Sequence, residues 1–213
     1  MSSVLLKRFA PIVGAAVVLI PSAYMLAIRP WHLTWGATEV EVGRSMPGDD
    51  VVPHPSFNAT RAVTVEALPE EIWPWIVQMG YRRAGFYSYD RLDNHGIPSA
   101  EEIVADLQNI SVGDEIPLTK SSYVRVVSLE PNQSMVWTHQ PDDDPPAFSW
   151  TWGLYREAGA RTRLVTRLRV SYDWNAGPIL PTLAFDVFEL IMMRKCMLGI
   201  KRRAEALQRR STS

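Results

Sequence analysis

The chain has 213 residues, a formal net charge of -1 at pH 7 and a single cysteine, Cys196. This length suits one globular domain with an appendage, and the near-neutral charge gives no long-range field that would favour nucleic acid as a partner. A lone cysteine excludes an intramolecular disulfide, so packing alone must hold the fold, and cysteine usage does not decide the compartment.

The N-terminal region contains one uncharged, mostly apolar stretch, residues 10–28, with Lys7 and Arg8 before it and Arg29 after it. As a helix rising ~1.5 Å per residue it would be about 29 Å long, close to a bilayer's hydrocarbon core. A cleaved signal peptide is the alternative, but its apolar stretch is normally shorter. We therefore expect a flank of residues 1–9 and a single-pass transmembrane anchor. The positive charges before the stretch favour an extracytoplasmic domain.

The segment after the anchor, residues 29–58, is rich in proline and turn-forming residues. This composition predicts an extended arm or linker rather than a packed element. We expect the folded domain to occupy residues 59–209 and to be followed by a short tail, residues 210–213. Period-two alternation from Ala59 to Ala67 predicts its first strand.

Two helices are predicted after this strand. The first begins at Pro69, where two glutamates follow in the first turn, and it stops at Gly80. The second begins at Ser99, which has the spacing of a capping box with Glu102, and it ends before Gly113.

Five strand-like segments then lie between Asp114 and Trp174, and one long helix-like segment runs from Pro181 to Arg209. The short loops between the segments favour an antiparallel meander. The order predicts an α+β fold in which a curved antiparallel sheet is closed by the C-terminal helix. The last strand carries a row of arginines that is predicted to face water: Arg161, Arg163, Arg167 and Arg169.

The long helix carries an apolar stripe, which includes Met193 and Met197 at helical spacing and is predicted to face the sheet. Asp186 and Glu189 continue this stripe toward the N-terminal end of the helix. They either point into the hollow between helix and sheet, as a general acid or base or as a polar anchor for a ligand, or mark a solvated side of the helix.

Further candidate site residues lie in the loop after the first predicted helix and on the strands. Asp90 and His95 offer a carboxylate and an imidazole, but a local polar network that pins the loop would use the same groups. Aromatic and methionine side chains are predicted to line the hollow, although core packing alone would also use them. The residues predicted to contact a ligand are Tyr87, Tyr89, Trp137, Phe148, Trp150, Trp152, Met193 and Met197.

No cofactor or metal is expected. The four histidines are scattered, no His-Glu-x-x-His motif occurs, and one cysteine cannot build a thiolate site. The P-loop, Gly-x-Ser-x-Gly and Gly-x-Gly-x-x-Gly motifs are missing from the sequence as well.

Three stretches carry a family resemblance: Trp73–Gly80 (WPWIVQMG), Ala84–Asp90 (AGFYSYD) and Met197–Glu205 (MLGIKRRAE). With shorter matches at Trp35–Thr38 and Pro47–Asp49, the resemblance covers about residues 31 to 205. The sequence resembles a bacterial group in the START-like SRPBCC superfamily, whose members are often labelled polyketide cyclase or dehydrase. The resemblance implies a helix-grip fold with an apolar cavity. It implies no catalytic residues, because a shared fold does not transfer an activity.

From these observations we expect a membrane-anchored, non-catalytic module that binds a small hydrophobic ligand, lipid-like or polyketide-like, between the sheet and the long helix. Two alternatives stay open. One is an enzyme of the cyclase or dehydratase kind, with an acid and base pair in the same cavity. The other is an interaction domain with a filled core and no ligand.

Overall fold

The computed structural model describes Leu26 and residues 28–139, 146–171 and 179–211. The predicted anchor, residues 10–28, and the flank before it lie almost wholly outside the described residues. Within those that are described, no helix has both the length and the apolar character needed to cross a bilayer. The boundaries of anchor, arm and domain stay predictions.

The centre of the fold is one antiparallel sheet of six strands. Their order across the sheet, numbered along the chain, is β1-β6-β5-β4-β3-β2, so the predicted meander is confirmed. Alternation along each strand turns one set of side chains toward the core. The strands are β1 (Phe57–Val65), β2 (Glu115–Pro117), β3 (Tyr123–Glu130), β4 (Ser134–His139), β5 (Phe148–Arg156) and β6 (Thr162–Val170).

Five α-helices are described, and they are α1 (Arg29–Leu33), α2 (Glu39–Gly43), α3 (Pro69–Val77), α4 (Asp90–Asp93) and α5 (Ile179–Ser211). The long helix, α5, confirms the element predicted from Pro181 to Arg209. Met197 and Ile200 on its apolar stripe are fully buried in the main core cluster. Gly199 permits this close packing, because a Cβ there would clash with the backbone oxygen of Tyr87. The result is an α+β fold with the long helix on the inner face of the sheet.

The first predicted helix is confirmed as α3, but the helix predicted from Ser99 is wrong. Only a short 3-10 turn, Ala105–Leu107, forms in that region. The hydroxyl of Ser99 donates to Asp90 Oδ1 at 2.5 Å and accepts from the Tyr87 amide at 3.0 Å, so it does not cap a helix. The side chain of Gln78 bonds two backbone groups of the segment, at 2.9 and 3.2 Å, in place of helical hydrogen bonds.

The arm before β1 differs from the extended segment predicted for residues 29–58. It contains α1 and α2, and Thr38 and Glu41 form a capping box at the start of α2. Met46 and Val52, farther along, are 4% and 2% exposed. The arm therefore packs as part of the domain, over the outer face of the sheet.

Arg163, Arg167 and Arg169 of β6 bind this arm, so the prediction that the arginine row faces water is wrong for these three. Arg161, just before the strand, is exposed as predicted. Arg163 makes a two-pronged ion pair with Glu41, in which the Nε–Oε1 and Nη2–Oε2 distances are both 2.8 Å. Arg167 is 2% exposed, pairs with Asp49 at 2.7 Å and donates to three backbone carbonyls of the arm. Arg169 also pairs with Asp49, at 3.3 Å. Alternation identified an outward face, but the arm supplies acceptors that replace water there.

Candidate functional site

A cleft of about 400 Å³ lies between the inner face of β5 and β6 and the N-terminal half of α5. Its volume falls in the range of roughly 300–1,000 Å³ that is typical of small-molecule sites. The aromatic lining residues are Phe86, Phe148, Trp150, Phe185 and Phe188. The other apolar and sulfur-containing lining residues are Leu118, Leu168, Met192, Met193 and Cys196.

Trp150 forms a fixed part of this wall. Its indole nitrogen donates to Thr166 Oγ1 at 2.9 Å. Its ring centroid lies 5.0 Å from that of Trp137 and 5.2 Å from that of Trp152, both of which are fully buried. Because aromatic neighbours and a hydrogen bond hold the ring, this side of the cleft is preformed.

Cys196 extends the apolar wall and does not act as a reactive thiol. Its side chain is buried, and Sγ lies 3.9 Å from Met79 Sδ. Burial raises the pKa of the thiol, so it stays protonated and nonpolar in character at neutral pH.

Glu189 lines the cleft, and its carboxylate is held by Arg61 from β1. The Nη1–Oε1 and Nη2–Oε2 distances are both 2.6 Å, which makes a bidentate ion pair. Burial raises the pKa of Glu189, and the Arg61 charge opposes that rise. Arg61 Nε also donates to the backbone oxygen of His32 at 3.1 Å. The Arg61 guanidinium therefore holds the Glu189 carboxylate in place.

Asp186 is buried one turn earlier on α5 but is not among the described residues that line the cleft. Its Oδ2 pairs with Arg29 Nε at 2.7 Å, and its backbone oxygen contacts His32 Nε2. Burial lowers the pKa of His32, which favours the neutral imidazole. The hypothesis that Asp186 and Glu189 mark a solvated side of the helix is thus wrong, because both are buried and ion-paired.

Asp93, at the end of α4, is a third acid beside the cleft. Both of its carboxylate oxygens are buried, and neither makes a hydrogen bond of normal geometry with a described residue, although the Ser88 hydroxyl lies near enough to oppose part of the rise in the Asp93 pKa. Burial and then the nearby charge of Asp90 raise the pKa of Asp93 to about 6. Its carboxyl group is thus available for a hydrogen bond from outside the protein.

The remaining predicted residues lie outside the cleft lining. Asp90 accepts a hydrogen bond from the Ser99 hydroxyl. His95 is exposed and has a backbone φ of 56°. Tyr87 is buried and donates from its hydroxyl to the backbone oxygen of Trp75 at 2.9 Å. Tyr89 is 43% exposed and lies under the Lys195 ammonium.

The structure therefore brings together Phe148, Trp150, Met193 and Glu189 from the predicted set. Trp137, Trp152 and Met197 lie in the core rather than in the cleft lining. That any of these residues contacts a ligand stays a prediction.

Sequence reasoning missed Arg61, although a signal was present. Arg61 has the same strand parity as Val63 and Val65, so it lies on the apolar side of β1. An arginine on such a face requires a buried anionic partner, and Glu189 on the helix stripe was the available one. The cleft residues Phe185 and Phe188 carried no comparable signal, because an apolar side chain on a long helix predicts burial as readily as a binding wall.

Metal ligation has no visible basis in the described segments, where no group of three or more histidine, cysteine, aspartate or glutamate side chains could hold an ion.

The topology, an antiparallel sheet with a long C-terminal helix on its inner face, fits the helix-grip class of α+β proteins. In this chain the candidate site is the apolar cleft under α5. No protein-family model matches the sequence, and no curated protein matches it significantly.

The solved structures that follow are distantly similar to this chain. A protein from Thermobifida fusca, solved by NMR in solution, is 13% identical with a TM-score of 0.45, over 71% of this chain and 95% of that one. A conserved protein of unknown function from Enterococcus faecalis is 11% identical with a TM-score of 0.42, over 77% and 93%. An HSP90 activator from Plasmodium falciparum is 13% identical with a TM-score of 0.41, over 62% and 88%. At TM-scores of 0.45 or less these similarities do not define the fold class, which follows from the chain's own topology.

Proposed function

We propose that this protein binds a small hydrophobic molecule in the cleft under α5 and does not catalyse a reaction on it. The cleft itself supports the proposal, because it is about 400 Å³ in volume and is lined mainly by aromatic, aliphatic and sulfur-containing side chains. Moving an apolar molecule from water into such a site is favourable by roughly 25 cal/mol per Å² of apolar surface buried.

The preformed wall around Trp150 favours binding further. A site whose side chains are already ordered loses little conformational entropy when the ligand enters. The alternative of an interaction domain with a filled core fits poorly with a cleft of this volume between sheet and helix.

We also propose that the chain is a member of the START-like SRPBCC superfamily and that residues 10–28 anchor it in a bilayer. The three sequence stretches and the order of elements support the first point. For the second, Arg29 directly follows the apolar stretch, and its pair with Asp186 holds the end of the stretch beside α5. Phe185 and Phe188, which line the cleft, are 46% and 52% exposed on the same part of that helix. A lipid-like ligand would have a short path from bilayer to cleft.

The binding test uses the full chain held in an uncharged amphipathic polymer and titrated with N-phenyl-1-naphthylamine, a neutral apolar fluorophore. Met192→Trp places a large side chain in the cleft, whereas Ile191→Trp adds the same side chain at an exposed neighbouring position that is not among the lining residues. We expect Met192→Trp to abolish saturable binding and Ile191→Trp to retain it. Equal binding by both variants would contradict the proposal.

The proposed membrane side has its own test. Cys196 is buried, so a cysteine introduced at exposed Asp106 reports accessibility with little background. An impermeant maleimide should label Asp106→Cys in intact cells if the domain is extracytoplasmic. Labelling that requires cell breakage would contradict that orientation.

A cyclase or dehydratase activity is the second candidate, and Asp93 is the observation that favours it. A carboxyl group with a pKa of about 6 can accept a proton at neutral pH, as a general base does. Glu189 is a poor second member of an acid and base pair, because Arg61 occupies both of its oxygens. Mass spectrometry of a co-purifying molecule before and after incubation with the protein tests this candidate. Dehydration would lower the mass by one water, and cyclisation without loss of water would give an isomer of unchanged mass that separates by chromatography. Either change, if Asp93→Asn abolishes it, would establish the activity.

A further inference from the structure

The polar groups of the cleft differ in whether the protein already satisfies them. Among the described residues, four polar side chains line it: Ser88, Asp93, Thr119 and Glu189. The Ser88 hydroxyl donates to the Met192 backbone oxygen at 3.0 Å. Thr119 Oγ1 bonds the Ser122 hydroxyl at 2.7 Å and accepts two backbone amides, and Glu189 is held by Arg61.

Asp93 is the exception among the described lining residues, because no described residue forms an ion pair with it. Both of its carboxylate oxygens are buried without a hydrogen bond of normal geometry, and the nearby Ser88 hydroxyl donates to Met192 instead. A buried polar group left unpaired is unfavourable, and a carboxylate more so than an amide or a hydroxyl. A ligand that donates a hydrogen bond to Asp93 would relieve this penalty, and a purely apolar ligand would leave it in place.

The charges around the cleft also select the polar group that can approach. Asp90 lies close enough to raise the pKa of Asp93 electrostatically, and Glu189 adds a second carboxylate whose charge Arg61 already matches. Of the described residues that line the cleft, none is a lysine or an arginine. Among these described residues an anionic head group would therefore meet like charge and no free cation, whereas a hydroxyl or an amino group would meet an acceptor.

Resting on the proposed function, we infer that Asp93 is the polar recognition point of the cleft and that the ligand is an apolar molecule with a hydrogen-bond-donating end, not a carboxylic acid. The apolar body would lie along Trp150 and Phe148, and the donor would bind the Asp93 carboxylate. Asp93 is thereby a specificity-determining residue rather than a structural one.

Three probes with the same alkyl chain test this inference: dodecylamine, dodecanol and dodecanoate. Each competes with N-phenyl-1-naphthylamine for the full chain in the uncharged polymer, at pH values well above the Asp93 pKa of about 6. We expect dodecylamine and dodecanol to displace the fluorophore at lower concentrations than dodecanoate. Asp93→Asn should lower the affinity for dodecylamine by about tenfold or more, because the variant loses a charged hydrogen-bond acceptor.

The control is Asp106→Asn, which makes the same change of charge at an exposed residue outside the cleft lining. Asp106→Asn should leave the affinities for all three probes unchanged. Because the probes dissolve in the polymer to the same extent with either variant, a difference between the two variants reports binding to the protein. If Asp93→Asn still binds the fluorophore but ranks the three probes as the unmodified chain does, the inference is wrong and the proposed function stands. If the unmodified chain shows no saturable fluorophore binding, the proposed function itself fails.

Discussion

The two halves of α5 contact the same sheet but are held there by different forces. In the C-terminal half, Met197, Ile200 and Ala204 are fully buried in the main core together with residues of α3. In the N-terminal half, Phe188 and Ile191 are 52% and 47% exposed. One continuous helix therefore closes the core at one end and forms the wall of a cleft at the other.

Ion pairs stabilise the N-terminal half where apolar packing is thin. Arg61 from β1 reaches Glu189, and Arg29 from the arm reaches Asp186. Both acids are buried, so each depends on its cation. A helix can thus be fixed over an unfilled space when buried charges, rather than close-packed side chains, determine its position.

The largest effect should come from removing the cation under the N-terminal half. Arg61→Met leaves Glu189 buried without its partner, and such a loss costs about 3 to 5 kcal/mol of unfolding free energy. Chemical denaturation measures it. The double variant Arg61→Met with Glu189→Met should recover most of the loss, because no charge remains buried. A double variant as unstable as the single one would show that the ion pair does not position the helix.

The C-terminal half should respond to a loss of volume instead. Ile200→Ala empties a fully buried site and should lower the unfolding free energy by about 2 to 5 kcal/mol. The same change at exposed Ile191 should cost about 0.5 kcal/mol or less. Thermal unfolding of the two variants compares them directly. Equal losses would remove the distinction between the two halves.

A smaller, pH-dependent effect is expected from Asp93. Its pKa is raised from 3.8 to about 6 on folding, so between these pH values the folded chain binds more protons than the unfolded chain. The contribution of Asp93 to the stability of the unmodified protein should therefore fall as the pH rises from about 4 to about 6. After allowance for solvent screening the contribution is about 1 to 2 kcal/mol.

Asp93→Asn removes this titration, so its stability relative to the unmodified protein should improve across the same interval and then level off. Denaturant midpoints measured at several pH values provide the check. A difference between the two proteins that does not change with pH would mean that Asp93 ionises normally in the folded state.

The smallest effect on stability is expected at the exposed cleft wall. Phe188→Ala should change the unfolding free energy by about 0.5 kcal/mol or less, because the ring is 52% exposed. It should nevertheless weaken binding of N-phenyl-1-naphthylamine, since it removes an aromatic lining surface. Val187→Ala, an exposed neighbour outside the lining residues, is the control. Unchanged affinity in Phe188→Ala would exclude this part of the helix from the site.

The fold could be predicted largely from local patterns. Strand alternation and the apolar stripe through Met197 each depend on neighbours in sequence, so they identified the sheet and α5. The capping-box pattern at Ser99 failed because Gln78, distant in sequence, satisfies the backbone of that segment. The prediction that Arg167 faces water was wrong because carbonyl groups of the arm accept its hydrogen bonds.

The candidate site was only partly predictable for the same physical reason. Phe148, Trp150 and Met193 lie on faces that periodicity identifies. Whether such a residue fills the core or lines a cleft depends on how far the helix stands from the sheet, and that distance follows from ion pairs between remote segments. The unsatisfied carboxylate of Asp93 likewise arises only when α4 meets the cleft in three dimensions.

The most direct measurement is a crystal structure of the chain with bromododecanol, brominated at the end opposite its hydroxyl group. The anomalous signal locates the bromine independently of any assumption about the site. We expect a bromine peak inside the cleft under α5, at van der Waals distance from its aromatic and methionine walls. An empty cleft, or bromine only on other surfaces of the domain, would contradict it.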